Sequence, residues 1–348
     1  MAYTTINKST DYFNSKLISG NGGTQSLTGV GFKPDFTWIK SRSRVDPHSL
    51  TDIVRGVASQ LDSSLTAVAT THSDAITSFN SDGFSLGSQA DVNRSGTTFA
   101  SWNWLAGGSQ GSSNTAGSIN TTYTSVNTTA GFSISKFTGT GSNATVGHGL
   151  GSVPKMIIIK DIGASSSWIV GHNSLGFTKN LFLQSTEASN TSSTIFQNTT
   201  PTSSVFSVGT SGHVNGSGNN YIAYCFAEKA GYSKFGSYDG NGNTNGNFIY
   251  TGFKPKFIII KRTDNTAPWV MLDTARADVA NANVVDQVLY TNDSQAEFSS
   301  ATRAVDLVSN GIKIRGDGGD INTNGGSYIY MAFGQSIVGS NNIPATAR

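Results

Sequence analysis

Three stretches of the chain repeat one pattern of apolar and polar positions: "GFKPDFTWIK" at 31–40, "GLGSVPKMIIIK" at 149–160 and "GFKPKFIIIK" at 252–261. Successive side chains of a strand point to opposite faces. Phe36 and Trp38 therefore share one face, with Thr37 and Ile39 on the other. In the third stretch both faces are apolar, Phe257 and Ile259 against Ile258 and Ile260. A run apolar on both faces predicts a central strand in a sheet covered on both sides. The proline just before it suits a strand start, where its missing N–H costs little.

With Pro34, Pro154 and Pro255 as anchors, further positions fall into register. Lys40, Lys160 and Lys261 each follow six residues later. Asp52, His172 and Asp273 come twelve after those lysines, and Arg55, Leu175 and Arg276 three further on. Trp168 and Trp269 match His48. A short alternating strand recurs as "GFSL" at 83–86, "VFSV" at 205–208 and "GIKI" at 311–314. Then Gly96, Gly218 and Gly325 precede aromatic closing strands, "FASWNW" at 99–104, "YIAYCF" at 221–226 and "YIYMAF" at 328–333. Many anchors in one order mark an internal repeat.

The pattern predicts an all-β fold of three tandem related antiparallel β-sandwich modules, jelly-roll-like. They span 10–108, 131–230 and 231–336. Residues 109–130, rich in Gly, Ser, Thr and Asn, read as a linker that leaves the first module hinged. The short join "AEKAGYSKFGSY" packs the second and third modules side by side. Residues 1–9 and 337–348 read as terminal arms. Short helices are alternative readings for 50–56 and for 268–290, the latter the weaker because its second copy is short and strand-like.

Composition sharpens this picture. The 348 residues include 40 glycines, 36% hydrophobic residues and 10% aromatics, with 13% charged and a net charge of +2. That is too apolar for a disordered chain and fits strands joined by tight turns. A scattered, nearly balanced charge argues against nucleic acid as a partner. Cys225 is the single cysteine, inside a strand-like run, and reads as a buried, inert thiol. No apolar run approaches membrane-spanning length, and the first residues lack a signal-peptide pattern. The sequons at Asn120, Asn127, Asn143 and Asn198 read as by-products of composition.

Chemical motifs are sparse. The five histidines show no metal spacing. The Asp52/Arg55 and Asp273/Arg276 pairs read as local salt bridges pinning a turn, since the second copy has His172 and Leu175 instead. "DGNGNTNG" at 239–246 begins like a calcium loop, but Thr244 and Tyr250 stand where glycine and glutamate are required. The Arg-Gly-Asp triplet at 315–317 reads as a hairpin turn. No nucleophile elbow, phosphate loop or zinc signature occurs. The expectation is a protein that is not an enzyme and uses no cofactor, metal or catalytic residue.

Candidate contact residues are sought where the repeat diverges. The charged "SRSRVDPHS" at 41–49 supplies Arg42, Arg44 and His48. The loops before the closing strands supply Asn93 and Arg94, then His213 and Asn215, then Asp317, Asp320 and Asn322. Polar loops at one end of a sandwich suit a glycan or a partner surface.

"GFKPDFTWIKSRS", "SFNSDGFSLGS", "TVGHGLGSVPKMIIIK", "NGSGNNYIAYCFAEKAGYSKFGSYDGNG" and "YIYMAFGQSIVGSNNIPATAR" resemble the repetitive virion structural, fibre-like proteins of marine tailed bacteriophages, which carry a domain of unknown function. The resemblance covers nearly the whole chain and brings no established site residues. It implies a virion component, assembled in the host bacterial cytoplasm beside other virion proteins, without cofactor or membrane insertion. A tail fibre or receptor-binding adhesin for host surface glycans is the first expectation. A capsid decoration or head-fibre protein is the alternative, and a polysaccharide depolymerase ranks third. A homotrimer follows by analogy with phage fibres only.

Overall fold

The structure is a computed structural model that describes residues 4–277 and 283–336. Its described residues form antiparallel sheets of two sizes. One large sheet runs, in spatial order, Phe13–Ser19, Thr98–Trp104, Phe36–Ser41, Ser49–Asp52, Ser59–Leu61 and Thr70–Thr71. A second runs Tyr123–Asn127, Phe132–Thr138, Asn220–Phe226, Met156–Asp161, Ile169–His172, Lys179–Phe182 and Asn190–Thr191. A third runs Ser233–Asp239, Ser327–Gln335, Lys254–Arg262, Trp269–Asp273, Gln287–Tyr290 and Phe298–Ser299. In each, the proline-anchored strand and the closing aromatic strand are neighbours at the centre. Their registers pair Trp38 with Trp102, Ile158 with Tyr224 and Ile259 with Met331.

Each large sheet is covered on its outer face by a small one. Gln25–Thr28, Gly83–Leu86 and Ile76–Asn80 cover the first. Ala144–Gly147 with Val205–Val208 cover the second, and Phe248–Tyr250, Gly311–Ile314 and Val305–Val308 cover the third. Each pair of sheets encloses its own apolar layer, such as Ile39, Phe84, Leu86, Val92 and Phe99 in the first. A nine-strand plan, six plus three in the first and third pairs and seven plus two in the second, with a meander across the large sheet, replaces the two balanced sheets of a jelly roll.

The inner faces of the three large sheets meet in one common core. Phe36, Trp102 and Trp104 from the first join Ile158, Tyr224 and Phe226 from the second and Phe257, Met331 and Phe333 from the third. Rings touch across every junction: Phe36 and Tyr224 at 4.7 Å, Trp104 and Phe257 at 5.7 Å, Phe226 and Phe333 at 6.0 Å. A buried aromatic removes 150–250 Å² from water, about 4–6 kcal/mol before entropy is counted. The first sheet is therefore held on two sides and is not hinged.

Three sequence expectations change accordingly. The stretch 109–130 is no free linker. It contains the strand Tyr123–Asn127, whose alternation of larger and smaller side chains was masked by its linker-like composition, and Ile119 is buried against the small sheet. The N-terminal arm is tucked in, with Thr4 and Ile6 buried, Ile6 within the common core. Residues 1–3 and the C-terminal arm 337–348 lie outside the described residues, as do 278–282. The segment 50–56 is strand Ser49–Asp52 followed by a turn that Gly56 N–H closes onto Asp52 O at 3.0 Å. In 268–290 the strands Trp269–Asp273 and Gln287–Tyr290 stand, as the strand-like second copy suggested.

The register fixes two ends. Phe36, Trp104 and Phe13 share one end of the first sheet; Ser41 and Phe99 lie at the other. The segments around residues 7–9 and around Gln335 lie at the first end, where Ser9 N–H donates to Gln335 Oε1 at 2.6 Å and Gln335 Nε2 donates to Asn7 O at 3.2 Å. The opposite end carries a set of loops from each pair of sheets.

Candidate functional site

At the loop end, each sheet pair contributes the loop after its proline-anchored strand, a loop after the third meander strand, and the loop before its closing strand. Neighbouring sets are stitched together by backbone. Ala69 N–H donates to Ile162 O, Ser189 N–H to Thr263 O and Glu297 N–H to Arg42 O, at 3.2, 2.9 and 2.8 Å. The last of these joins the third sheet to the first, so the ring is closed.

All ten candidate contact residues fall at this end, but not all reach solvent. Asn93, Asn215 and Asn322 are buried, each ending a one-turn helix before its loop closes. Asn215 Nδ2 donates to Ser142 O and Gly209 O, while its Oδ1 accepts from Thr140 N–H at 2.8 Å. Asn322 repeats the pattern with Asn243 O, Gly316 O and Asn241 N–H, and Asn93 with Gly23 O, Gly87 O and Asn21 N–H. These amides hold loops together and are not contact groups. Behind them Gly96, Gly218 and Gly325 take φ of 73°, 78° and 73°, which favours glycine.

His48 is also interior. Trp38 Nε1 donates to His48 Nδ1 at 2.8 Å, which leaves the proton on Nε2 to donate to Tyr290 O and Asp293 O at 2.9 and 3.1 Å. Burial pushes its pKa down to about 3, so the ring is neutral. Trp168 and Trp269 stand at the matching positions and reach the neighbouring sheet likewise, to Asp62 O at 2.9 Å and Phe182 O at 3.0 Å.

Arg42 is partly buried and chelates Glu297, with Nη2 to Oε1 at 2.6 Å and Nε to Oε2 at 3.0 Å. Arg276 Nη1 donates to the same carboxylate at 2.8 Å, and its Nε to Asp273 Oδ2 at 2.5 Å. Asp273 Oδ2 also accepts from Trp102 Nε1 at 3.0 Å. Asp52 and Arg55 form the corresponding buried pair at 2.5 Å, and Tyr224 of the second sheet donates to Asp52 Oδ2 at 2.7 Å. The two Asp/Arg pairs therefore do more than pin a turn: they bridge sheets. At the remaining junction His172 Nε2 donates to Tyr330 O at 3.2 Å, and burial lowers its pKa to about 4.

Arg44, His213 and Asp317 are exposed. Arg94 pairs with Asp46 at 3.5 Å, and Asp320 with Arg303 at 2.5 Å. Around His213 lies a shallow polar cleft lined by Asp161, Ser165, Ser166, Ser211 and Asn219. Ser166 Oγ and His213 Nδ1 lie 2.8 Å apart, and Asn219 Nδ2 donates to Asp161 Oδ2 at 2.8 Å. Asp161 Oδ1 is taken by Gly163 and Ala164 N–H groups, so no carboxylate orients the histidine. The cleft offers hydroxyls, an amide and an imidazole, a set suited to hydroxyl-rich ligands. Sequence reading found His213 there but missed Asp161, Ser166 and Asn219; the position of Asp161 holds Ser41 and Arg262 in the other copies, so the repeat gave no signal for it.

Among the described residues no group of three or more His, Cys, Asp or Glu side chains is placed to hold a metal ion. Cys225 is buried, and burial raises its thiol pKa far above the ordinary value. Among the described residues no helix is long and apolar enough to cross a membrane.

An all-β protein with one common core and a polar loop end is the class these features define. The chain belongs to the family described as a domain of unknown function, DUF7483, which matches residues 8–336. Neither the curated proteins nor the solved structures gave a match.

Proposed function

We propose that the chain is a triplicated β-sandwich unit, with copies at 10–108, 131–230 and 231–336, serving as a bacteriophage virion protein of the tail-fibre or receptor-binding type. Its loop end contacts host surface glycans. The observation that carries this reading is polarity: three loop sets converge at the end opposite the Ser9–Gln335 contact. A protein held to a particle by the face that carries Ser9 and Gln335 presents the loop end outward. The Asp161–Ser166–His213–Asn219 cleft, with Arg44 and Asp317 exposed on the flanking sets, supplies neutral and charged hydrogen-bonding groups of the kind sugars require. A closed ring of three units in one chain also supplies by itself the threefold arrangement that fibres otherwise build from three chains, so homotrimer formation is not part of the proposal.

Purified protein on a bacterial glycan array, together with its ability to block phage adsorption, tests the reading. Glycan binding weakened at least tenfold by His213→Ala, with folding intact, is the expected result. Absence of both binding and blocking would count against it. Particle images placing hundreds of copies over the capsid would favour a decoration role instead.

A further inference from the structure

The three small sheets end in matching edge strands, Gln25–Thr28, Ala144–Gly147 and Phe248–Tyr250. Their pairing with "GFSL", "VFSV" and "GIKI" puts Ser26, Thr145 and Phe248 in equivalent positions, and Thr28, Gly147 and Tyr250 in the next outward ones. The three edges are finished differently. The second is covered by the chain itself: Ile119 N–H donates to Thr145 O and Thr145 N–H to Ser118 Oγ, both at 2.9 Å, and Ile119 bridges Val146 in parallel. The first shows outward hydroxyls, Ser26 and Thr28. The third shows two aromatic rings, Phe248 at 49% and Tyr250 at 61% exposure.

An edge strand with unpaired backbone groups is a template for another strand, and proteins ordinarily blunt such edges with charge, proline or cover. Phe248–Tyr250 carries neither charge nor proline, and nothing covers it among the described residues. Its polarity follows from the register. Ile314 N–H donates to Asn247 O and Thr251 N–H to Asn310 O, so residues 247, 249 and 251 bond inward. The N–H and C=O groups of Phe248 and Tyr250 therefore face away from the sheet, as those of Thr145 do where Ser118 and Ile119 dock.

We propose that this edge pairs with the same edge of a second copy of the chain. Two outward-facing residues placed symmetrically about Ile249 make the edge self-complementary in an antiparallel twofold pairing. Phe248 of one copy then lies opposite Tyr250 of the other, twice, with both backbone groups of each residue hydrogen-bonded. The four rings form cross-strand pairs on one face, the arrangement that stabilises antiparallel strands most readily. Ile249 stays buried in its own core. No charged side chain lies on the three edge residues to oppose the contact.

Sedimentation velocity of the full chain across roughly 1–200 µM tests the pairing. The expected result is a concentration-dependent dimer whose dissociation constant rises at least tenfold in Phe248→Lys/Tyr250→Lys, with an unchanged circular-dichroism spectrum. Disulfide trapping checks the register. A mixture of Phe248→Cys and Tyr250→Cys chains should form a covalent dimer under mild oxidation, whereas each alone should not; the buried Cys225 does not compete. A wild-type chain that stays monomeric over this range, or a dimer that survives both lysines, would overturn the proposal. So would trapping that is equally efficient within either single variant.

Discussion

A primary amide offers two donors and two acceptor sites, and Asn215 uses both kinds on backbone from two separate loops. Alanine there leaves Ser142 O, Gly209 O and Thr140 N–H without their partner. Asn215→Ala should lower unfolding free energy by about 2–3 kcal/mol in urea titrations, the cost of orphaned buried polar groups. His213→Ala, on the exposed side of the same one-turn helix, should leave the urea midpoint unchanged. Lys40, Lys160 and Lys261 are buried and donate to carbonyls, Lys160 to Thr66 O and Lys261 to Thr186 O of the neighbouring set. Burial lowers all three to about 8. Their unfolded-state values are the ordinary ones near 10.4. Between those limits the unfolded chain binds more protons, so stability must rise with pH. The melting temperature should therefore climb from pH 8 to about pH 10, and Lys160→Met should flatten that climb.

At the level of elements, the three junctions share one position, filled by an arginine-paired carboxylate at Asp52 and Asp273 and by an imidazole at His172. The Asp273–Arg276–Glu297–Arg42 cluster closes the ring, with Arg276 fully buried. Removing one partner of a buried pair leaves an uncompensated charge. Asp273→Asn should cost about 3–5 kcal/mol, read from chemical denaturation, and a change below about 1 kcal/mol would contradict the bridging role. His172 responds to acid. Its folded value, about 4, lies below the ordinary one near 6.5, so the stability it contributes is complete above pH 6.5 and falls as pH drops toward 4. His48 behaves alike down to about 3. Asp35 opposes them: burial raises its carboxyl to about 6, so it favours the folded state as pH falls below that value. A His172→Gln chain should lose stability less steeply between pH 6.5 and 4 than the parent does, in melts taken across that range.

Sequence periodicity made the central strands legible, because a strand covered on both faces must be apolar on both. Phe36–Ser41, Met156–Asp161 and the centre of Lys254–Arg262 are buried as that rule requires. The loops were harder. Val92–Asn93, Val214–Asn215 and Ile321–Asn322 recur three residues before Gly96, Gly218 and Gly325, a repeated apolar–Asn pair that marks packing and was hidden by the polar residues around it. Side chains that cross between sheets were not legible at all. Arg42 and Glu297 lie 255 residues apart, and no local pattern links them.

For the whole molecule, the face of each large sheet that an isolated sandwich would expose to water is instead the wall of a shared core. Phe13, Phe36, Trp102, Trp104, Phe226, Phe257 and Phe333 are all buried there. Exposed, those rings would form an apolar patch that a soluble unit tolerates poorly, so the three sheets stand or fall together. With a net charge of only +2, the recognition proposed for the loop end would rest on a few neutral and charged groups and not on a general electrostatic field.

The shared core is tested most directly by small-angle X-ray scattering of the dilute, monomeric chain. A single compact body of this length should give a radius of gyration of about 20 Å, with the bell-shaped Kratky profile of one globule. Three separately folded units strung on linkers would give roughly 28 Å or more, and that value would contradict a core common to all three sheets.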